Sequence, residues 1–342
     1  MCKKCSFLDT LAQLGTNSSD GITTGESNSN HINNLGEKRS LLLRARAKFF
    51  TNAIIFRLVD IDSPLNKSYW NTYHCANTLR VQGEKTIAVV DIENRLYGYC
   101  KNRWCIVCNR IRTAVLIKSY KPVLDYWGDE CIFVTLTVPN VLQAALPSTL
   151  DLMQVEFRAI IDQFKKSCSR DKMSRFEGLR KLECTYNSQR NDYHPHFHVI
   201  VRGSEAANAL VQEWLRRFPD ASPDAQDSRR ADSGSVLELF KYSTKIITKV
   251  NGKNSLFPVA LDQIFRAMKG RRVFQSFGFK RPKVEEMTDE QVEEIIDTLE
   301  EVMMYEWMPD YADWISVRTG EFLTGYTPSR AMKELVEGFK SG

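Results

Sequence analysis

The sequence has no run of 18 or more apolar residues, which excludes a helix of membrane-spanning length. It has no Gly-x-x-x-x-Gly-Lys-[Ser/Thr] segment, so the usual loop for cradling nucleotide phosphates is missing. It has no internal repeat, which excludes a solenoid or a propeller. Nine cysteines among 342 residues are too few for a disulfide scaffold. Met1–Thr10 carries Lys3 and Lys4 but no apolar stretch of signal-peptide length, so a cytoplasmic protein with no membrane partner is expected. Histidine is scarce, with five residues in all, so its placement is informative.

The composition, 43% hydrophobic, suffices for one sizeable core and a smaller module. The net charge is only +5 but is unevenly spread. Residues 283–342 hold 5 basic and 15 acidic residues, leaving 42 basic and 27 acidic in residues 1–282. A basic body of this kind suits a polyanion.

Residues 16–35 are rich in Ser, Thr, Asn and Gly, and residues 1–37 are expected to be disordered. Apolar spacing predicts a helix over 38–58 and, within a cysteine-rich module over 38–118, a hairpin of Thr86–Val90 and Arg95–Tyr99. The span 119–282 reads as the main domain. It contains strands Cys131–Val138, Leu179–Tyr186 and His194–Val201, and helices Ser148–Ser167, Ala206–Phe218 and Val236–Val250. Residues 219–235 read as a polar loop, and 283–342 as an acidic region with a helix over 288–308. The fold class is α+β.

Three of the five histidines fall in His194-Pro195-His196-Phe197-His198. Period-two alternation puts His194, His196 and His198 on one face of a strand and Phe197, Val199 and Val201 on the other. Imidazoles two residues apart on a strand, about 7 Å between same-face neighbours, can both reach one ion. Glu183, on the neighbouring strand, can complete a three-ligand site with positions open to a substrate oxygen. An imidazole set suits Zn or Mn, and the carboxylate brings Mg within range.

On the expected helix Val236–Val250, Tyr242 lies on the stripe with Glu238, Lys245 and Lys249, opposite the apolar stripe. Lys245, one turn on, can favour the phenolate or hold a phosphate. Glu238, one turn back, can take the phenol's proton or orient a water. Ser235-x-x-Glu238 also fits a capping box, which would give Glu238 a purely structural role.

Cys100-x4-Cys105-x2-Cys108, with Cys75 upstream, offers four thiolates for a closed tetrahedral zinc site, and His74 can replace Cys75. Lys101, Arg103, Arg110 and Arg112 surround it, as suits a DNA-binding module. Cys131, Cys168 and Cys184 read as core residues.

The order Phe133–Val138, His194–His198, then Lys241-Tyr242-x-x-Lys245 resembles the rolling-circle plasmid replication initiators of the HUH endonuclease superfamily, over about residues 100–282. Similar cysteine-rich segments precede the motifs in that family. The resemblance implies a five-stranded antiparallel sheet with the first two motifs on adjacent central strands. It implies His196 and His198 as ligands of Mg or Mn, with His194 a further ligand or an outer partner. It also implies Tyr242 as a lone nucleophile that forms a 5′-phosphotyrosine and frees a 3′-hydroxyl, with Glu238 standing in for a second tyrosine. Origin DNA, a host helicase and a host polymerase are the implied partners. Two other readings use the same residues: an HUH transposase or relaxase, and a zinc-containing DNA-binding regulator without catalysis.

Overall fold

The computed structural model describes residues 35–82, 85–88, 98–168, 176–240, 247–250, 253–280, 282, 303–316 and 320–338. In chain order the elements are α1 (Leu35–Val59), α2 (Asn66–Tyr73), β1 (Thr78–Gln82), β2 (Lys85–Ala88), α3 (Ile106–Trp127), β3 (Cys131–Thr137) and α4 (Leu146–Cys168). Next come β4 (Gly178–Asn187), β5 (Asp192–Arg202), α5 (Ser204–Arg217), β6 (Asp227–Arg230) and α6 (Ser233–Phe240). The remainder are β7 (Ile247–Val250), β8 (Lys253–Leu256), α7 (Pro258–Met268), β9 (Phe274–Phe277), β10 (Met303–Met308), β11 (Asp313–Ser316) and α8 (Arg330–Gly338). The architecture is mixed helix and antiparallel sheet, as the sequence led us to expect.

The chain forms two compact units. One takes its described residues from 1–112, 247–258 and 285–342. Its sheet runs β11-β10-β1-β2, with β10 antiparallel to both β1 and β11. Leu79, Tyr305, Trp307 and Trp314 of this sheet share one buried cluster with Ala45, Ala47 and Val107. The Trp314 indole donates to the Ala76 carbonyl at 2.8 Å, tying strand β11 to the segment before β1.

The other unit takes residues 113–246 and 259–284. Its five-stranded antiparallel sheet has the order β6-β3-β5-β4-β9. The strands that carry the first two motifs, β3 and β5, are neighbours inside it. On one face Phe197 packs against Phe157 of α4 and Trp214 of α5, with ring centroids 5.1 and 5.7 Å apart. Helix α4 presents Leu146, Leu150, Met153, Phe157, Ile160 and Phe164 at alternating spacings of three and four, the stripe a helix needs to cover a sheet. Pro195 lies in an interior strand. Strand β3 has already ended at Thr137, its partner being His196, so the missing N–H removes no bond to β3.

Several expectations are corrected. Thr86 of the expected Thr86–Val90 strand pairs with Val81 of β1, and Tyr99 lies outside any strand, while residues 89–97, which hold most of the hairpin expected with Arg95–Tyr99, lie outside the described residues. The helix expected over Val236–Val250 is described as far as Phe240, residues 241–246 lie outside the described residues, and Ile247–Val250 is a strand paired with Lys253–Leu256. Ile247, Thr248 and Val250 are β-branched, and Asn251-Gly252 between the strands is the strongest short hairpin signal, so local preference outweighs helical periodicity. The polar loop 219–235 contains edge strand β6, whose exposed Ser228, Arg229 and Arg230 give no apolar alternation to read. The end of the acidic helix expected over 288–308 is strand β10, while residues 283–302 lie outside the described residues. The disordered stretch expected over 1–37 also lies outside them, apart from residues 35–37 at the start of α1. Cys131 and Cys184 are buried as expected, but Cys168 is only half-buried.

Candidate functional site

The face of the five-stranded sheet opposite α4 and α5, on which α6 packs, gathers polar groups by register. His198 lies between Thr135 of β3 and Lys181 of β4, and His196 lies between Thr137 and Glu183. Glu183, His196 and His198 each offer one ligand atom, all within 4.8 Å of one another. The Nε2 atoms of His196 and His198 stand 3.2 Å apart, and the Glu183 carboxylate is 3.7 Å from His198 Nε2. Two imidazole nitrogens bound to one ion at about 2.1 Å, at a right or tetrahedral angle, stand about 3.0–3.4 Å apart. The observed separation therefore suits a shared divalent ion.

Outer contacts fix the rings. His196 Nδ1 lies 3.1 Å from the His194 carbonyl, which can only accept. A neutral imidazole that donates from Nδ1 carries its lone pair on Nε2, the atom turned toward the site. His198 Nδ1 lies 3.4 Å from Thr135 Oγ1, and its ring stacks on Phe133. Burial pushes both imidazoles down to about 4; at His198 the Lys181 ammonium is the next cause. Both rings are thus neutral near pH 7, as ligands must be.

His194, expected as a further ligand or an outer partner, lies outside that group of three. Its Nδ1 lies 2.8 Å from Asn140 Oδ1, and Asn140 in turn donates to Asp192 at 2.7 Å. Its ring stacks on His196 at 5.0 Å, which makes it an outer neighbour. Sequence reasoning missed Lys181, although period two places it on the same face as Glu183. Its side chain is 2% exposed, its Nζ lies 2.8 Å from a Glu183 carboxylate oxygen, and it donates to the Glu238 carbonyl at 2.9 Å.

That carbonyl belongs to α6. The cap of α6 is Asp232, whose Oδ1 accepts from both the backbone N–H and the hydroxyl of Ser235, each at 2.7 Å. Ser235 is therefore not the cap, and the capping-box role considered for Glu238 does not apply. Phe240, the last described residue of α6, packs against Tyr120 and Phe274, and its carbonyl accepts from Thr113 Oγ1 at 2.9 Å. The charge of Glu238 acts on His198, raising its pKa against the effect of burial. Tyr242 and Lys245 lie outside the described residues.

The second cluster is in the other unit. Cys75, Cys100, Cys105 and Cys108 bring four sulfurs within 4.8 Å. Cys108 Sγ lies 3.5 Å from Cys75 Sγ and 3.7 Å from Cys100 Sγ. Four thiolates around zinc at about 2.3 Å have edges of about 3.8 Å, so the spacing fits, and it is far too long for a disulfide. The backbone N–H groups of Cys100 and Cys108 donate to Cys75 and Cys105 sulfurs, each at 3.4 Å. Cys75, not His74, joins the cluster; the His74 ring stacks on Trp70. Hydrogen bonding from Cys105 and Cys108 holds the Cys100 thiol well below its ordinary range, whereas burial holds Cys105 above it. The buried Lys48, also missed in sequence, donates to the carbonyls of Tyr73 and Cys75 and to Asn77 Oδ1, each at 2.7 Å. Burial pushes its ammonium down to about 8 while the neighbouring thiolates oppose the shift.

Among the described residues, no helix is long and apolar enough to cross a membrane. Residues 94–206 match the family model described as replication protein, a span that includes Cys100, Cys105, Cys108, Glu183 and the three histidines of β5. A Staphylococcus aureus relative named Protein rep is 30% identical over 192 residues, 50% of this chain and 79% of the relative. A Bacillus amyloliquefaciens protein of the same name is 28% identical over 264 residues, 64% of this chain and 76% of the relative. A third, from a Bacillus species, is 35% identical over 186 residues, covering 45% of this chain and 59% of its own. No solved structure matches the chain. With four fifths of one such relative aligned at this identity, the chain belongs to the Rep family of replication proteins, the rolling-circle plasmid replication initiators that its motifs resemble.

Proposed function

We propose that the protein is a metal-dependent nicking and joining enzyme of the HUH type, acting on one strand of a plasmid origin. The observation that carries this reading is the convergence of His196 Nε2, His198 Nε2 and the Glu183 carboxylate, with two nitrogens 3.2 Å apart on a polar sheet face. A divalent ion bound there, Mg or Mn, supplies positive charge that polarises a phosphodiester oxygen. His196 and His198 contribute neutral nitrogens, and Glu183 contributes the charge and the oxygen that admit a hard cation.

Tyr242 is two residues after Phe240 in the sequence. In this reading its phenol oxygen attacks phosphorus in line. The new O–P bond forms as the bond to the 3′ oxygen breaks, the phenol proton passes to Glu238, and the departing oxygen takes up a proton to become the 3′-hydroxyl. The phosphotyrosine keeps the phosphodiester's energy, so rejoining needs no nucleotide. Lys245 offers a cation to the phenolate or to the scissile phosphate. Glu238 can orient the water of a terminating hydrolysis. The four-cysteine cluster acts as a structural zinc site, and Arg103, Arg110 and Arg112 beside it suit origin DNA. A host helicase would unwind the duplex and a host polymerase would extend the 3′ end, both in the cytoplasm.

The test is incubation with supercoiled origin plasmid and with an origin oligonucleotide, in Mg or Mn. The expected products are nicked and relaxed circles, with the protein joined to the 5′ end through Tyr242. Tyr242→Phe loses nicking and keeps DNA binding. A plasmid left supercoiled under every ion would make the protein a regulator without catalysis.

A further inference from the structure

We propose that Lys181 is a positioning residue for the candidate ion site, and that it holds the Glu183 charge in check so that a bound ion keeps its full charge for the substrate phosphate. The inference rests on reading Glu183, His196 and His198 as the ion's ligands.

The juxtaposition is specific. Lys181 and Glu183 point to the same face of β4, two residues apart. The ammonium is 2.8 Å from Glu183 Oε2, and that carboxylate is 3.7 Å from His198 Nε2. Both side chains are buried, at 2% and 9% exposure, so little water screens them. The same ammonium donates to the Glu238 carbonyl at 2.9 Å. One buried cation therefore ties a ligand carboxylate to the helix that leads into Tyr242.

Two consequences follow from charge alone. An ion bound to a carboxylate already neutralised by an ammonium retains a net charge near +2, whereas an ion bound to a lone carboxylate retains about +1. Phosphate polarisation and the stabilisation of in-line attack grow with that charge. The ammonium also repels the ion, so the arrangement gives up ion affinity in exchange for a stronger field at the phosphate. Lys181 should weaken ion binding while it speeds the chemistry, a combination that a scaffolding residue would not produce.

The test uses the full chain and two variants. Lys181→Met removes both charge and hydrogen bonds, while Lys181→Gln removes the charge and keeps a donor. Mn binding is measured by calorimetric titration. Cleavage of an origin oligonucleotide is measured at saturating Mn under single turnover. The expected result in both variants is Mn binding tighter by roughly tenfold, with cleavage slower by roughly tenfold or more. Weaker Mn binding in the folded Gln variant, or cleavage at the wild-type rate in either variant, overturns the proposal. If wild-type protein cleaves through Tyr242 while the variants behave that way, only the role of Lys181 falls. If wild-type protein binds no Mn at all, the ion-site reading falls and this inference falls with it.

Discussion

His196 turns its Nδ1 to the His194 carbonyl, 3.1 Å away, and its Nε2 to His198 Nε2 at 3.2 Å. A backbone acceptor thus sets which nitrogen of His196 carries the lone pair, and the strand that carries the imidazole also supplies its orienting group. Outer-shell partners of metal ligands are commonly worth 10–100-fold in affinity, so losing a ligand itself should exceed about a hundredfold. His196→Ala and His198→Ala should each abolish measurable Mn binding in calorimetric titration. His194→Ala should weaken it by about tenfold or less. Equal loss in all three would return His194 to the ligand set.

Removing the Glu183 charge tests the buried pair from the other side. Breaking a buried ion pair by deleting one partner costs about 3–5 kcal/mol when no substitute exists. Here a Gln keeps the size and a polar oxygen beside the Lys181 ammonium, so Glu183→Gln should lower stability in urea by about 3 kcal/mol. The double variant Glu183→Gln, Lys181→Met should recover part of that loss. A single variant with a wild-type midpoint would show that the pair is not buried in solution.

The two depressed histidines predict a pH response. An unfolded imidazole takes up its proton near 6.5, while the folded rings do so at about 4. Between those values the unfolded chain binds more protons, so stability falls as pH falls through that window. The full effect is about 3 kcal/mol per ring. Urea midpoints in Mg- and Mn-free buffer at pH 7, 6 and 5 should drop progressively. A variant carrying Asn at both 196 and 198 should lose most of that slope.

The cysteine cluster predicts a metal stoichiometry. Elemental analysis should find about one zinc per chain, and Cys105→Ser should remove it and lower the melting temperature of its unit. Cys131→Ser is the control. That thiol lies in the other unit and contacts the Leu124 carbonyl at 3.7 Å, so the zinc content should not change. Zinc retained in Cys105→Ser would rule out the four-thiolate site.

Period-two alternation in the sequence was enough to put His194, His196 and His198 on one strand face and Phe197 and Val199 in the core, because side-chain direction in a strand is a local property. The same local logic found β3, α4, β4 and α5 to within a few residues. It failed where pairing joins distant segments. Strand β10 pairs with β1 across more than 200 residues, and no local pattern in an acidic stretch announces such a partner. It failed at β6 for the same reason, since an edge strand with charged side chains looks like a loop. The alternation could not say which histidine would be left out of the site. That was decided by Asn140, brought against His194 by the pairing of Val141 with Tyr193. Nor could it find the two buried lysines. Lysine is ordinarily a surface residue, and Lys48 and Lys181 are buried only because folding carries carbonyls, thiols and a carboxylate from other elements to their ammonium groups. Residue types and local periodicity thus determined which groups were available and which way they faced, while long-range pairing and burial decided which of them met.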